Sequence, residues 1–176
     1  MKAIRILNDA LGFNFGSRRF TVSTVGVIPK IIQFTREKRQ ENLAISLHAA
    51  ENVLRTSLLP IAKIYPLTQL INACRQYVIE TGRRISFEWA MIKGINDSER
   101  DAHMLVHLLQ GINCHVNIIP LNFVNNYPGE PSSNIQMEIF KNILVKNGVP
   151  CTIRLHRGID IGAGCGQLFS KNGNVL

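Results

Sequence analysis

The feature that most restricts this chain is a repeated switch in hydrophobic period, from two residues to about 3.6 and back. Phe20-Thr21-Val22-Ser23-Thr24 is a short β-rich run, after which Gly26 and Pro29 lead into a helix through Ile31, Ile32 and Phe34. Asn42 to His48 is the second strand. Pro66 suits the first turn of a helix running to about Glu80, with Leu67, Leu70, Ile71, Cys74 and Val78 on one side and Thr81-Gly82 at its end. Arg84 to Ile92 is a third strand, Gly94 to Asp97 a turn, and Ser98 caps a helix with Ala102, Leu105, Val106 and Leu109 on its apolar side. His115 to Pro120 is a fourth strand, and Asn122 to Asn134 a polar loop. Ser133 opens a last helix to about Lys146, and Cys151 to Leu155 is a short final strand.

Strand–helix alternation at these spacings predicts parallel β/α units. Four such units are too few to close a barrel of the usual eight. The chain also opens inside an amphipathic helix (Ile4, Leu7, Leu11) with no capping residue before it, so it reads as a barrel whose first part is missing. An unpaired barrel edge of this kind predicts association of the chain.

Composition narrows the functional classes. With 45% hydrophobic and 18% charged residues in 176, the chain can build a core and is not a disordered segment. A formal charge of +8 favours an anionic partner, with RNA or DNA first and an anionic membrane second. No apolar run reaches the roughly 18 residues of a membrane span, and the charged start does not read as a signal peptide. The four cysteines, Cys74, Cys114, Cys151 and Cys165, lack the close spacing of a zinc or iron–sulfur site. A cytoplasmic protein with reduced thiols is expected.

Ligands of parallel β/α folds sit at the carboxyl ends of strands. Ser46 and His48 share one strand face, Thr21 and Ser23 share another, Asn122 follows the fourth strand, and Glu88 lies among apolar neighbours. Each taken alone has an ordinary structural role: a hydrogen-bonded histidine, a turn serine, a carboxylate paired with a basic side chain across the barrel. Together, Ser23, Ser46, His48 and Asn122 line one rim and suit a polar ligand such as a nucleoside with an amino-acid moiety. Cys165 stands among Gly162, Gly164 and Gly166, where little bulk keeps a substrate from its sulfur. Of the basic clusters Arg18-Arg19, Arg36 to Arg39, Arg83-Arg84 and Arg154 to Arg157, the last is the expected phosphate contact because it adjoins this cysteine segment. Gly129-Glu130-Pro131 reads as an ordinary turn.

Several segments point to one family: Arg18 to Pro29, Leu43-Ala44-Ile45-Ser46-Leu47-His48-Ala49, Gly94-Ile95-Asn96-Asp97-Ser98, Cys114 to Pro120 and Cys165-Gly166-Gln167-Leu168. In order and over nearly the whole chain, they resemble the radical S-adenosylmethionine (SAM) methyltransferases of adenosine carbon 2 (RlmN-like, related to the Cfr resistance enzymes). The resemblance implies an α/β fold. Residues 1–176 would form the C-terminal part of an incomplete (β/α) radical-SAM-type barrel, with about the last four barrel strands, their helices and a short C-terminal strand. It implies 23S ribosomal RNA and some transfer RNAs as substrates, and SAM and a 4Fe-4S cluster as cofactors. SAM contacts fall at Ser23, Ser46, Leu47, His48 and Asn122. Cys165 would be methylated on sulfur, attacked there by a 5′-deoxyadenosyl radical and joined to the adenine. A second cysteine, from a segment preceding these strands in the family, would release the product by forming a disulfide.

The departures from that pattern bear on activity. The family's CxxxCxxC cluster motif is absent, as are the Gly-Glu-Pro that precedes these strands, the resolving cysteine and an upstream glutamate. Gly162 replaces a usual aspartate, Gly164 a usual alanine, and Phe123 a usual proline. The expectation is therefore no cluster and no methyl transfer by this chain alone. The alternatives are a non-catalytic RNA-binding remnant and an unrelated barrel lyase using Lys93.

Overall fold

In a computed structural model, which describes residues 2–122 and 128–154, the strands form one all-parallel sheet in the order β1-β2-β3-β4-β5. The strands are β1 (Thr21–Thr24), β2 (Asn42–Ser46), β3 (Ile85–Met91), β4 (Cys114–Pro120) and β5 (Cys151–Ile153). The crossovers carry α2 (Ile28–Arg36), α3 (Asn52–Leu58), α4 (Leu67–Thr81), α5 (Glu99–Leu109) and α6 (Asn134–Lys146), after an opening α1 (Lys2–Asn8). Sequential strand order with a helix at every crossover is a barrel wall, as the alternation predicted.

Local chemistry sets the element ends. Ser98 Oγ accepts from the Asp101 N–H at 3.2 Å while Asp101 Oδ2 accepts from the Ser98 N–H at 3.1 Å, a reciprocal cap on α5. Ser133 Oγ accepts from the Gln136 N–H and starts α6. At the end of α4, Gly82 takes φ +64°, the left-handed cap that a side chain resists. Gly26 has φ +103°, and a Cβ there would stand 3.0 Å from Leu70 Cδ2 and 3.1 Å from Arg55 Nη2. The turn from β1 into α2 therefore needs glycine for both angle and space.

The two faces of the sheet differ completely. On β3 and β4 every second residue is buried under the helices: Ile85, Phe87, Trp89 and Met91, then Cys114, Val116, Ile118 and Pro120. Trp89 meets Phe140 of α6 with ring centroids 5.6 Å apart, and Tyr77 of α4 meets Phe34 of α2 at 6.2 Å. Parallel sheets are usually apolar on both faces. Here the other face carries Thr21, Ser23, Asn42, Ser46, Ser86, Glu88, His115, Asn117 and Thr152, a polar surface fit for a lumen. In register, Ser23, Ala44, Ser86 and His115 form one layer of it, and Ser46, Glu88, Asn117 and Thr152 the next.

Two elements differ from the sequence expectation. β2 ends at Ser46, because His48 takes φ +59° and leaves the strand. The helix α3 has no amphipathic signature because the side chain it buries is Arg55, a cation.

Candidate active site

The carboxyl ends of the strands open into a cavity of about 470 Å³. Ser23, Ser46, His48 and Asn122 all line it, so the rim inferred from strand alternation is assembled by the fold. Thr21, Glu88 and Arg154 line it too. Leu47 does not: its side chain is fully buried in the core behind the sheet. Its main chain is already engaged, the N–H donating to Glu88 O at 3.0 Å and the carbonyl accepting from Arg55 Nε at 3.2 Å. Cys165 lies outside the described residues, as do the glycines around it.

His48 reaches the cavity by its left-handed backbone, not by strand alternation, and that conformation is costly for a non-glycine residue. The residue that holds it is Asn96, fully buried in the turn after β3. Asn96 Nδ2 donates to the carbonyls of His48 and Ala90, both at 2.8 Å, and its Oδ1 accepts from the Ile92 N–H at 2.7 Å. Its own carbonyl accepts from Trp89 Nε1 at 3.1 Å. The His48 ring is fixed as well, because Nδ1 accepts from the Ala90 N–H at 3.0 Å. Burial first, and the Arg55 charge second, hold the imidazole down at about 4. It is therefore neutral, and with Nδ1 accepting, the proton sits on Nε2 and makes that atom a donor.

Arg55 is a fully buried guanidinium beneath the rim. Its Nη2 donates to Val25 O at 2.7 Å and its Nε to Leu47 O, tying together the ends of β1 and β2. Nη1 has no partner, and burial lowers the pKa of the group. Neither Arg55 nor Asn96 is marked as functional by its sequence neighbourhood. The signal for Asn96 was the Gly94-to-Ser98 segment, which reads as a turn and is one of the segments that carry the family resemblance.

Across the lumen a chain of hydrogen bonds aims at Glu88. His115 Nε2 lies 3.0 Å from Thr152 Oγ1, which donates to Asn117 Oδ1 at 2.8 Å, and Asn117 Nδ2 donates to Glu88 Oε1 at 3.1 Å. Glu88 Oε2 is buried without a hydrogen bond, and Arg154 Nη1 stands 4.0 Å away. The basic partner across the barrel thus exists but at the limit of ion-pair range. Asn117 is the nearer partner.

The remaining expectations fall as follows. Glu130 of Gly129-Glu130-Pro131 pairs on the surface with Lys93 at 2.7 Å, while Pro131 bridges Ile92, so the segment is a turn stapled to the end of β3. Lys93 has its pKa raised by that hydrogen bond, the reverse of what a Schiff-base lysine needs. Cys74, Cys114 and Cys151 are buried free thiols, pushed up by burial to about 12, 11 and 12. Among the described residues no His, Cys, Asp or Glu group is arranged to hold a metal ion, and no cysteine pair forms a disulfide. The described residues do not fit an iron–sulfur cluster. No helix among them is long and apolar enough to cross a membrane.

A half-barrel with its polar cavity at the strand carboxyl ends is the architecture of a radical SAM methyltransferase. The crystal structure of such an enzyme from Sphaerobacter thermophilus superposes with a TM-score of 0.91 at 49% identity, covering 95% of this chain and 49% of that one. The chain is homologous to a C-terminal portion of the RlmN dual-specificity RNA methyltransferases. A probable member from Caldanaerobacter subterraneus subsp. tengcongensis is 49% identical over 171 residues, 97% of this chain and 50% of the relative. Another, from Geobacillus kaustophilus, is 49% identical over 173 residues, 97% of this chain and 47% of the relative. The chain thus spans about half the length of the curated relatives it matches. No protein-family model matches it.

Proposed function

We propose that the cavity binds SAM, and that residues 1–176 are part of a radical SAM methyltransferase domain that methylates carbon 2 of adenosine in 23S ribosomal RNA and in transfer RNA, in the cytoplasm. The observation that carries the cofactor reading is the convergence of Ser23 and Ser46, from two strands, and His48 and Asn122, from the segments after β2 and β4, on one cavity. SAM presents a carboxylate, an ammonium, a sulfonium, ribose hydroxyls and an adenine edge, so it needs donors, acceptors and an anion together. His48 Nε2–H supplies a fixed donor, and the serines and the Asn122 amide supply both roles. Glu88 supplies the anion, with one oxygen already oriented by Asn117 and the other available to a cationic or N–H group. Leu47 enters only through its main chain, which aligns the strand end beside Glu88. When bound, the cofactor supplies the methyl group; the chain's residues hold it and keep His48 neutral.

Cys165 as the methyl carrier rests on the resemblance of Cys165-Gly166-Gln167-Leu168 alone. Because the described residues do not fit a cluster, no chemical step through one is derived, and methyl transfer by this chain alone is not expected. Isothermal titration of the 176-residue chain with SAM tests the cofactor reading. Heat of binding is expected, with affinity falling about tenfold for Glu88→Gln. S-adenosylhomocysteine lacks the sulfonium charge but keeps the ammonium and the adenine amine, so an unchanged affinity for it in Glu88→Gln assigns the carboxylate to the sulfonium, and an equal loss assigns it to one of the retained groups. Absence of SAM binding by the unsubstituted chain overturns the reading.

A further inference from the structure

At the amino ends of the same strands lies a second hollow, of about 430 Å³, lined by Arg18, Thr21, Asn42, Arg83, Arg84 and Ser86. Three of the six are guanidinium groups and none is a carboxylate. The fold brings them together from segments far apart in the chain. Thr21 and Asn42 are register partners on β1 and β2, Ser86 is paired with Ala44 at the start of β3, and Arg84 immediately precedes that strand. Asn42 is the hub: its Nδ2 donates to Arg18 O at 2.9 Å, and its Oδ1 accepts from Arg83 Nη2 at 3.0 Å. Arg83 Nη2 also donates to Gln40 O at 2.8 Å.

Among the described residues Arg18, Arg83 and Arg84 have no carboxylate within ion-pair range; other surface cations such as Arg36 and Lys63 share that state, and what distinguishes this hollow is that three such groups line one space. The acid next in sequence to the hub, Glu41, is occupied by Arg39 at 2.6 and 3.1 Å. Arg83 Nε is buried without any partner. The Arg83 charge is felt by the nearby Glu41 carboxylate, but no carboxylate lines the hollow itself, and guanidinium groups held together beside two hydroxyls and an amide are the donor set for a phosphate. Buried or crowded positive charge is stabilised by a bound anion.

We propose that this floor of the barrel is a phosphate-binding site, which takes either a phosphodiester of an RNA strand or a free phosphoryl anion. The site lies toward the amino ends of the strands, shares only Thr21 with the lining of the SAM cavity, and does not depend on that reading. It adds a phosphate contact to the one expected at Arg154 to Arg157, of which all but Arg154 lie outside the described residues: Arg18 and the Arg83-Arg84 pair, which look like separate solvated groups in the sequence, meet in space.

The test uses the 176-residue chain and a fluorescein-labelled single-stranded RNA of about 12 nucleotides. Anisotropy is measured between about 50 and about 300 mM salt, and pyrophosphate is titrated separately by phosphorus NMR. The double variant Arg18→Ala/Arg84→Ala removes two exposed side chains, and unchanged Trp89 fluorescence confirms its fold. If it does not fold, Arg84→Gln alone replaces it. Arg36→Ala/Lys63→Ala removes the same charge elsewhere. The expected result is at least a tenfold loss of affinity in the floor variant, with a salt slope about 1.4 shallower, and less than a twofold loss in the control. Pyrophosphate that binds and displaces RNA identifies the free anion as a ligand; RNA binding that pyrophosphate does not displace identifies the strand backbone. Equal losses in the two double variants, no loss in Arg84→Gln where that variant stands in, or no binding of either phosphate ligand, overturns the proposal.

Discussion

Replacing Asn96 by alanine tests the reasoning about the site most directly. The side chain is fully buried and makes three hydrogen bonds: to the carbonyls of His48 and Ala90 and from the N–H of Ile92. Alanine supplies none of these, and it leaves the Ile92 N–H, on a buried residue, without its partner. At about 1 kcal/mol for each bond the loss is about 3 kcal/mol, rising toward about 5 if the left-handed His48 relaxes and drags the rim with it. For a chain of this size that lowers the melting temperature by about 6–12 °C. The chain's one tryptophan reports on the site, because Trp89 is fully buried and donates to the Asn96 carbonyl. Urea unfolding followed by its emission should show a lower midpoint with unchanged slope. Asn72→Ala, on the exposed side of α4, should change stability by less than about 0.5 kcal/mol. A loss below about 1 kcal/mol for Asn96→Ala would refute the claim that Asn96 holds His48 in place.

His48 also links stability to pH. Its pKa falls from 6.5 to about 4 on folding, so the unfolded chain binds the extra proton between those values. Stability from this source is complete above about pH 6.5 and is lost as pH falls to about 4, a total of about 3 kcal/mol. The difference in unfolding free energy between the chain and His48→Asn should therefore shrink across that window, and a constant difference would contradict it. Gly26→Ala should cost about 2–4 kcal/mol in urea unfolding, because the new Cβ meets Leu70 and the Arg55 guanidinium at φ +103°. An effect under about 0.5 kcal/mol would show that the β1–α2 turn has more room than its geometry indicates.

The strands were legible because two consecutive ones carry strict alternation, and alternation is a local property. Ile85 to Met91 and Cys114 to Pro120 announce both a strand and which side chains share a face. Ser98 and Ser133 announced helix starts for the same reason, since a cap reaches only three residues ahead. The rim residues were legible too, once strand ends were known, because parallel sheets place ligands there. His48 was placed correctly for an incomplete reason: it faces the cavity through a positive φ that Asn96, a turn residue, sustains from 48 positions away.

What the sequence determined by itself is therefore the parallel β/α wall and a rim of Ser23, Ser46, His48 and Asn122. Only the tertiary structure decided which polar groups meet. It put Arg55 under the rim, ran His115, Thr152 and Asn117 up to Glu88, and joined Arg18 to Arg83 through Asn42. Hydrophobic period records which face a residue takes, because that depends on its near neighbours. Partners across a sheet depend on register between segments dozens of residues apart, and no local pattern encodes that distance.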